Sequence, residues 1–146
     1  MTSPNQPAPQ DAGPSSLYHI SLQRMAELKR SATTLLAARR GPSCPSRLNP
    51  DQELTDPQAL IDEIAEYSAG DEEFIQPQMA LQELVFRVLL RRGNQPISLQ
   101  ELHYELTERW ATPTRPINIT PAGLRRILEA DGYYGFAQVD SETQQS

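Results

Sequence analysis

PQMALQELVFRVLLRRGNQPISLQELHYELTERWATPTRPINITPAGLRRILEADGYYGFAQV, residues 77–139, reads as helix, short β-prone stretch, helix, helix and aromatic strand. The first helix starts near Pro77 and runs to Arg92, where Gly93-Asn94 closes it. Leu81, Leu84, Val85, Val88 and Leu89 follow the i, i+3, i+4, i+7, i+8 spacing of a buried stripe. Met79, Phe86 and Leu90 form a second stripe on roughly the opposite side, and a helix apolar on two faces is covered on two faces. Glu83 and Arg87 stand between the stripes at i,i+4 pairing distance.

Ile97-Ser98-Leu99-Gln100-Glu101-Leu102 carries the sharpest local signal. Ser98 and Glu101 have capping-box spacing, and Ile97 with Leu102 supplies the hydrophobic staple across it. Leu99, Leu102, Leu106 and Trp110 continue one buried face, until the two prolines between Thr112 and Asn118 break the helix. Thr120-Pro121 opens a third helix, with Ile119 and Leu124 as a second staple and Leu124, Ile127 and Leu128 facing inward. Gly132 stops it, and Tyr133 to Val139 is aromatic and β-prone.

Working outward, Asp56-Pro57 reads as an N-cap and first helical position, with Leu60, Ile61, Ile64 and Tyr67 on one side and Gly70 as the stop. Residues 41–55 open with three prolines in ten positions and are expected to be a linker. Ser16 caps an expected basic amphipathic helix from Leu17 to Arg40, its stripe marked by Leu22, Met25, Ala32 and Leu35 or Leu36. Residues 1–16 are rich in Pro, Ser and Gln, and 140–146 are wholly polar, with Asp140 and Glu142 charged; both are expected to be disordered tails. The fold class is thus mostly α: a separate N-terminal helix, a linker, and a compact three-helix domain with a short β element over residues 56–139.

The net charge of −6 is unevenly spread. Residues 1–50 hold six bases and two acids, and residues 51–146 hold seven bases and 17 acids. Nine of those acids fall between Asp51 and Glu73, where no base occurs, whereas residues 76–139 are close to neutral. An acidic segment of this kind suits a basic partner surface. Strong non-specific DNA binding, by contrast, needs a basic face.

Reactive constellations are missing. Cys44 is the one cysteine, so it forms no internal disulfide; set between prolines, it is expected to be exposed. His19 and His103 have no partner at ligand or catalytic spacing, and His103 is expected on a helix surface beside Glu101 or Glu105. No phosphate-cradling glycine string or nucleophile elbow occurs. No enzyme activity, metal or cofactor is expected. No apolar run reaches the length of a membrane span, and the first residues lack the basic and apolar parts of a signal peptide, so a cytoplasmic protein is expected.

In element order, spacing and caps, residues 77–139 resemble the winged helix-turn-helix superfamily. The resemblance implies a small regulator that binds double-stranded DNA. The helix opened by Thr120 would be its recognition helix, with Gly123 in a small first turn that allows close approach. It also implies that Arg125 and Arg126, with Arg115 from the preceding loop, reach phosphates. Two features depart from that pattern. The connection from Ala111 to Ile119 is long for such a turn, and one strand is visible where a wing hairpin needs two. The stretch around Pro96-Ile97 is an alternative partner for that strand. The same fold also serves as a protein-binding adaptor, with either Leu17 to Arg40 or the acidic Asp51 to Glu73 as contact segment. A homodimer through the N-terminal or the two-faced helix is a further expectation.

Overall fold

The computed structural model describes residues 15–49, 51 and 53–139. Of the two expected tails, residues 1–14 and 140–146 lie outside the described residues. Ser15 and Ser16 lead directly into structure, and the Ser16 carbonyl accepts from the Leu99 amide at 2.9 Å.

The expected single helix from Leu17 to Arg40 does not form. In its place stand a strand, β1 (Leu17–Ile20), and two short helices, α1 (Leu22–Glu27) and α2 (Ala32–Ala37). The cause is local chemistry that hydrophobic spacing alone does not register. Ser21 and Ser31 are caps rather than helix-interior residues, their hydroxyls accepting from the amides of Arg24 at 3.0 Å and Thr34 at 3.2 Å. Lys29 sits at φ +64°, which ends the first helix before the second begins. Tyr18 and Ile20 alternate inward from the strand and are almost wholly buried, as are Met25 and Leu36. This segment is therefore part of the core, not a separate helix.

The expected linker is docked as well. Cys44 is buried, contrary to its expected exposure, and burial pushes its thiol pKa up. Beside it the buried Ser46 gives its amide and hydroxyl to the Glu63 carboxylate at 2.8 and 2.6 Å, and Arg40 donates to the same hydroxyl. Glu63 belongs to α3 (Pro57–Ser68), capped by Asp56 as its sequence requires, with Leu60, Ile61 and Ile64 buried.

The remaining elements follow their sequence signals more closely. Helix α4 (Leu81–Arg91) begins later than Pro77, and its two stripes are both covered: Leu84, Val85, Phe86, Val88, Leu89 and Leu90 are buried. Strand β2 (Ile97–Ser98) leads into α5 (Leu99–Tyr104), where Ser98 Oγ accepts from the Glu101 amide at 3.0 Å. The same helix continues as a π-helical stretch over Glu105–Trp110. Helix α6 (Pro121–Glu129) is capped by Thr120, which accepts from the Gly123 amide at 3.0 Å. Strand β3 (Phe136–Gln138) lies within the aromatic segment.

The three strands make one antiparallel sheet in the order β2-β1-β3. Tyr18 is opposite Ile97 on one side and Gln138 on the other. The aromatic strand thus finds its partner in β1, not in the stretch around Pro96-Ile97. Asn94, in the left-handed region at φ +61°, fastens the same strand to the end of α4. Its side chain accepts from the Ile20 amide at 2.7 Å and donates to the Ile20 carbonyl at 2.8 Å, as a neighbouring strand residue would. Gly135 takes φ +85° where β3 begins, and a Cβ there would meet Met25 Cγ at 2.7 Å. Among the described residues the architecture is therefore mixed: six α-helices and a small sheet around a single core that runs from Tyr18 to Phe136.

Candidate functional site

Helix α6 buries Leu124 and Leu128 and turns Pro121, Ala122, Arg126 and Glu129 outward. Its inner face is set by the loop before it: His103 Nε2 donates to the Ile119 carbonyl at 2.6 Å. His103 thus ties α5 to the start of α6 and is not mere surface decoration. Gly123 lies so close to this loop that a Cβ would stand 3.2 Å from Thr120 Oγ1 and 3.3 Å from Ile119 Cγ1.

Behind α6 the chain makes a tight loop governed by Asp131. Its carboxylate accepts four backbone amides, those of Tyr133, Tyr134, Gly135 and Phe136, at 2.8–3.1 Å. Arg30 rests over the Tyr133 ring at 4.5 Å. Between this loop and α6 opens a groove of about 700 Å³, its apolar wall made by Ile119, Gly123, Ile127, Ala130 and Tyr133. Arg126 and Gln82 of α4 also line it.

The groove is underpinned by a polar cluster. Glu83 accepts two hydrogen bonds from Arg39 at 3.0 and 2.8 Å, one from Arg87 at 2.8 Å and one from the Tyr134 hydroxyl at 2.9 Å. Burial pushes the Glu83 pKa up, but these hydrogen bonds outweigh it and hold the carboxyl at about 2. Burial, and then the bond donated to Glu83, push the Tyr134 hydroxyl up to about 12. Arg39 also lies over the Phe86 and Tyr134 rings at 5.1 and 5.7 Å, and Tyr134 stacks on Phe136 at 5.3 Å. A half-buried cluster bonded from several sides in this way fixes the geometry beneath the groove.

The residues singled out in the sequence fall into three groups. Thr120, Gly123 and Arg126 gather at α6, where Thr120 serves the cap and Gly123 and Arg126 line the groove. Arg125 is half-buried, and its charge is felt by the Tyr18 hydroxyl, so it points toward the sheet side. Arg115 is exposed in a separate turn closed by Thr112. The acidic face of α3 is open, with Asp62 and Glu66 exposed, whereas both surfaces expected to pair two copies, α4 and the N-terminal stripe, are largely consumed by the core. The groove itself was missed, because it is shaped by the Asp131 loop, and so was Arg39, 44 residues from Glu83.

Among the described residues no three His, Cys, Asp or Glu side chains gather to hold a metal ion, and no helix is long and apolar enough to cross a membrane. No protein-family model, curated protein or solved structure matches this chain.

Proposed function

We propose that this chain is a non-catalytic recognition module of winged-helix-like architecture that holds a segment of another protein in the groove along α6. The winged-helix-like reading is supported by the succession α4, β2, α5, α6 and β3, with β1 giving β3 the antiparallel partner that the returning strand of a wing would give. One observation carries the choice of ligand. The groove offers an apolar wall from Ile119 to Tyr133, while the exposed charge of α6 amounts to Arg126 and Glu129. Duplex DNA needs many phosphate contacts, whereas an apolar groove suits side chains.

The charges at the groove define the partner further. Arg126 and Arg30 are exposed, and the nearby Asp131 carboxylate is already engaged by four amides. An amphipathic segment with apolar side chains and flanking carboxylates complements this surface. Peptides selected from a random display library should share that pattern. Ile127→Asp should weaken an enriched peptide by about tenfold or more, since it buries a charge in the apolar wall.

Double-stranded DNA is the second reading, favoured by two exposed arginines, Arg126 on α6 and Arg115 in the turn that precedes it in the chain. It would replace the first if no peptide is enriched and low-salt retention on duplex DNA is weakened by the pair Arg115→Ala and Arg126→Ala.

A further inference from the structure

A second cavity, of about 220 Å³, lies where the last turn of α4 meets the π-helical stretch, and it shares no residue with the groove. Arg91, Arg92, Arg109 and Trp110 converge on it, above an apolar floor of Ile75 and Val88. The one acid in its wall is Glu105. The guanidinium groups of Arg91 and Arg109 lie over the Trp110 ring at 5.3 and 5.2 Å.

Ordinary structural duties account for part of this cluster. Arg91 donates to the Ala69 carbonyl at 2.9 Å, and arginines in a last turn complement the helix dipole. Arg109 pairs with Glu105 at 3.3 Å, but its side chain is 56% exposed, so that pair is weak and easily exchanged. Two groups are left over. Arg92 Nε and Trp110 Nε1 are removed from solvent and have no hydrogen-bond partner among the described residues. A buried donor without an acceptor carries its full desolvation cost, so each is a reason to look for an acceptor from outside.

The backbone points the same way. Residues 105–110 wind as a π-helix, a rare geometry that recurs at functional sites. The Thr107 hydroxyl, donating to the His103 carbonyl at 2.8 Å, bonds back into the preceding turn where this stretch begins. The wider winding carries Arg109 and Trp110 at its end, so the departure from α-geometry coincides with the cavity.

We infer that this cavity binds a phosphate group, held by Arg92, Arg109 and the Trp110 indole N–H. Three cations against one carboxylate favour a multivalent anion, and planar guanidinium forks match the oxygens of a tetrahedral oxyanion. The volume accommodates a phosphate with room for a small ester substituent, so both free phosphate and a phosphate monoester have this chemistry.

Trp110 is the single tryptophan of the chain, so its fluorescence reports this site alone. The full chain is titrated with inorganic phosphate and with glycerol phosphate, against sodium chloride and acetate at matched ionic strength. A saturable response to either phosphate, half-complete at about 1 mM or below, is expected. Saturation by both marks the group itself as the ligand, and saturation by glycerol phosphate alone marks an ester. Arg92→Gln should weaken binding at least tenfold. If that variant does not fold, Arg109→Gln, at an exposed position, should still weaken it several-fold. Glu105→Gln removes the competing carboxylate and should tighten binding, which a merely structural cluster would not do. Equal responses to chloride, acetate and phosphate, or variants that bind as the parent does, would overturn the inference.

Discussion

The N-terminal segment and the α6 face of this molecule look alike in sequence, each an amphipathic run with arginines beside an apolar stripe, yet the fold uses them in opposite ways. The N-terminal run is spent on the interior: β1 is the middle strand, and Met25, Leu35 and Leu36 are buried. Around α6, by contrast, Ile119 and Ile127 remain partly open and line a groove. What separates them is long-range pairing. Asn94 and Gly135 grip β1 and the residue that follows it, across 74 and 114 positions, whereas the outer face of α6 stays open at Pro121, Ala122, Arg126 and Glu129.

The sharpest way to break this comparison is to remove residues 1–20. Loss of the middle strand uncovers Ile97 and Phe136 and deletes the buried Tyr18 and Ile20. Each buried side chain of that size is worth about 2–5 kcal/mol, against a total stability of about 5–15 kcal/mol for an ordinary domain. The truncated chain should show no cooperative thermal transition. A normal melt would mean that the later residues fold without β1, as a separate domain over residues 56–139 would require.

A smaller effect is expected at the junction of the two regions. Glu83 joins Arg39 from the N-terminal segment to Tyr134 beneath the groove. Its pKa in the folded chain, about 2, lies below its ordinary value of 4.5. The stabilisation is therefore complete above about pH 4.5 and is lost as pH falls toward 2. Its size is on the order of 3 kcal/mol. Denaturant midpoints for the parent should drop across that window, and those for Glu83→Gln should be lower at neutral pH and flatter through it. Parallel curves would show that Glu83 contributes nothing to stability across this window.

The smallest expected effect lies in a purely local signal. Ser98→Ala removes the hydroxyl that caps α5 and should cost about 1 kcal/mol in chemical denaturation. A loss of several kcal/mol would show that Ser98 supports the sheet as well as the helix.

These magnitudes follow what was legible in the sequence. Caps at Asp56, Ser98 and Thr120 and the two stripes of α4 depend on residues a few positions apart, and all appear in the structure. Strand β1 was not legible, because its four residues stand before good helix formers and its partners lie about 80 and 120 positions away. Ser21 and Ser31 carried the available hint, since serine favours a cap over a helix interior. At the candidate site, Thr120 was readable from its cap, whereas Gly123 and Arg126 were reached only through the resemblance to winged helix-turn-helix domains. The groove was not, because it depends on the turn that Asp131 imposes on residues 131–136.

Backbone-amide shift mapping of the full chain, with an enriched acidic-amphipathic peptide and duplex DNA titrated separately, tests the recognition role most directly. The peptide should shift Gly123, Ile127, Gly132 and Tyr133 together, and DNA should shift little at physiological salt. Shifts from DNA spreading over Arg115, Thr120 and Arg126, with none at Ile127 from any peptide, would contradict this.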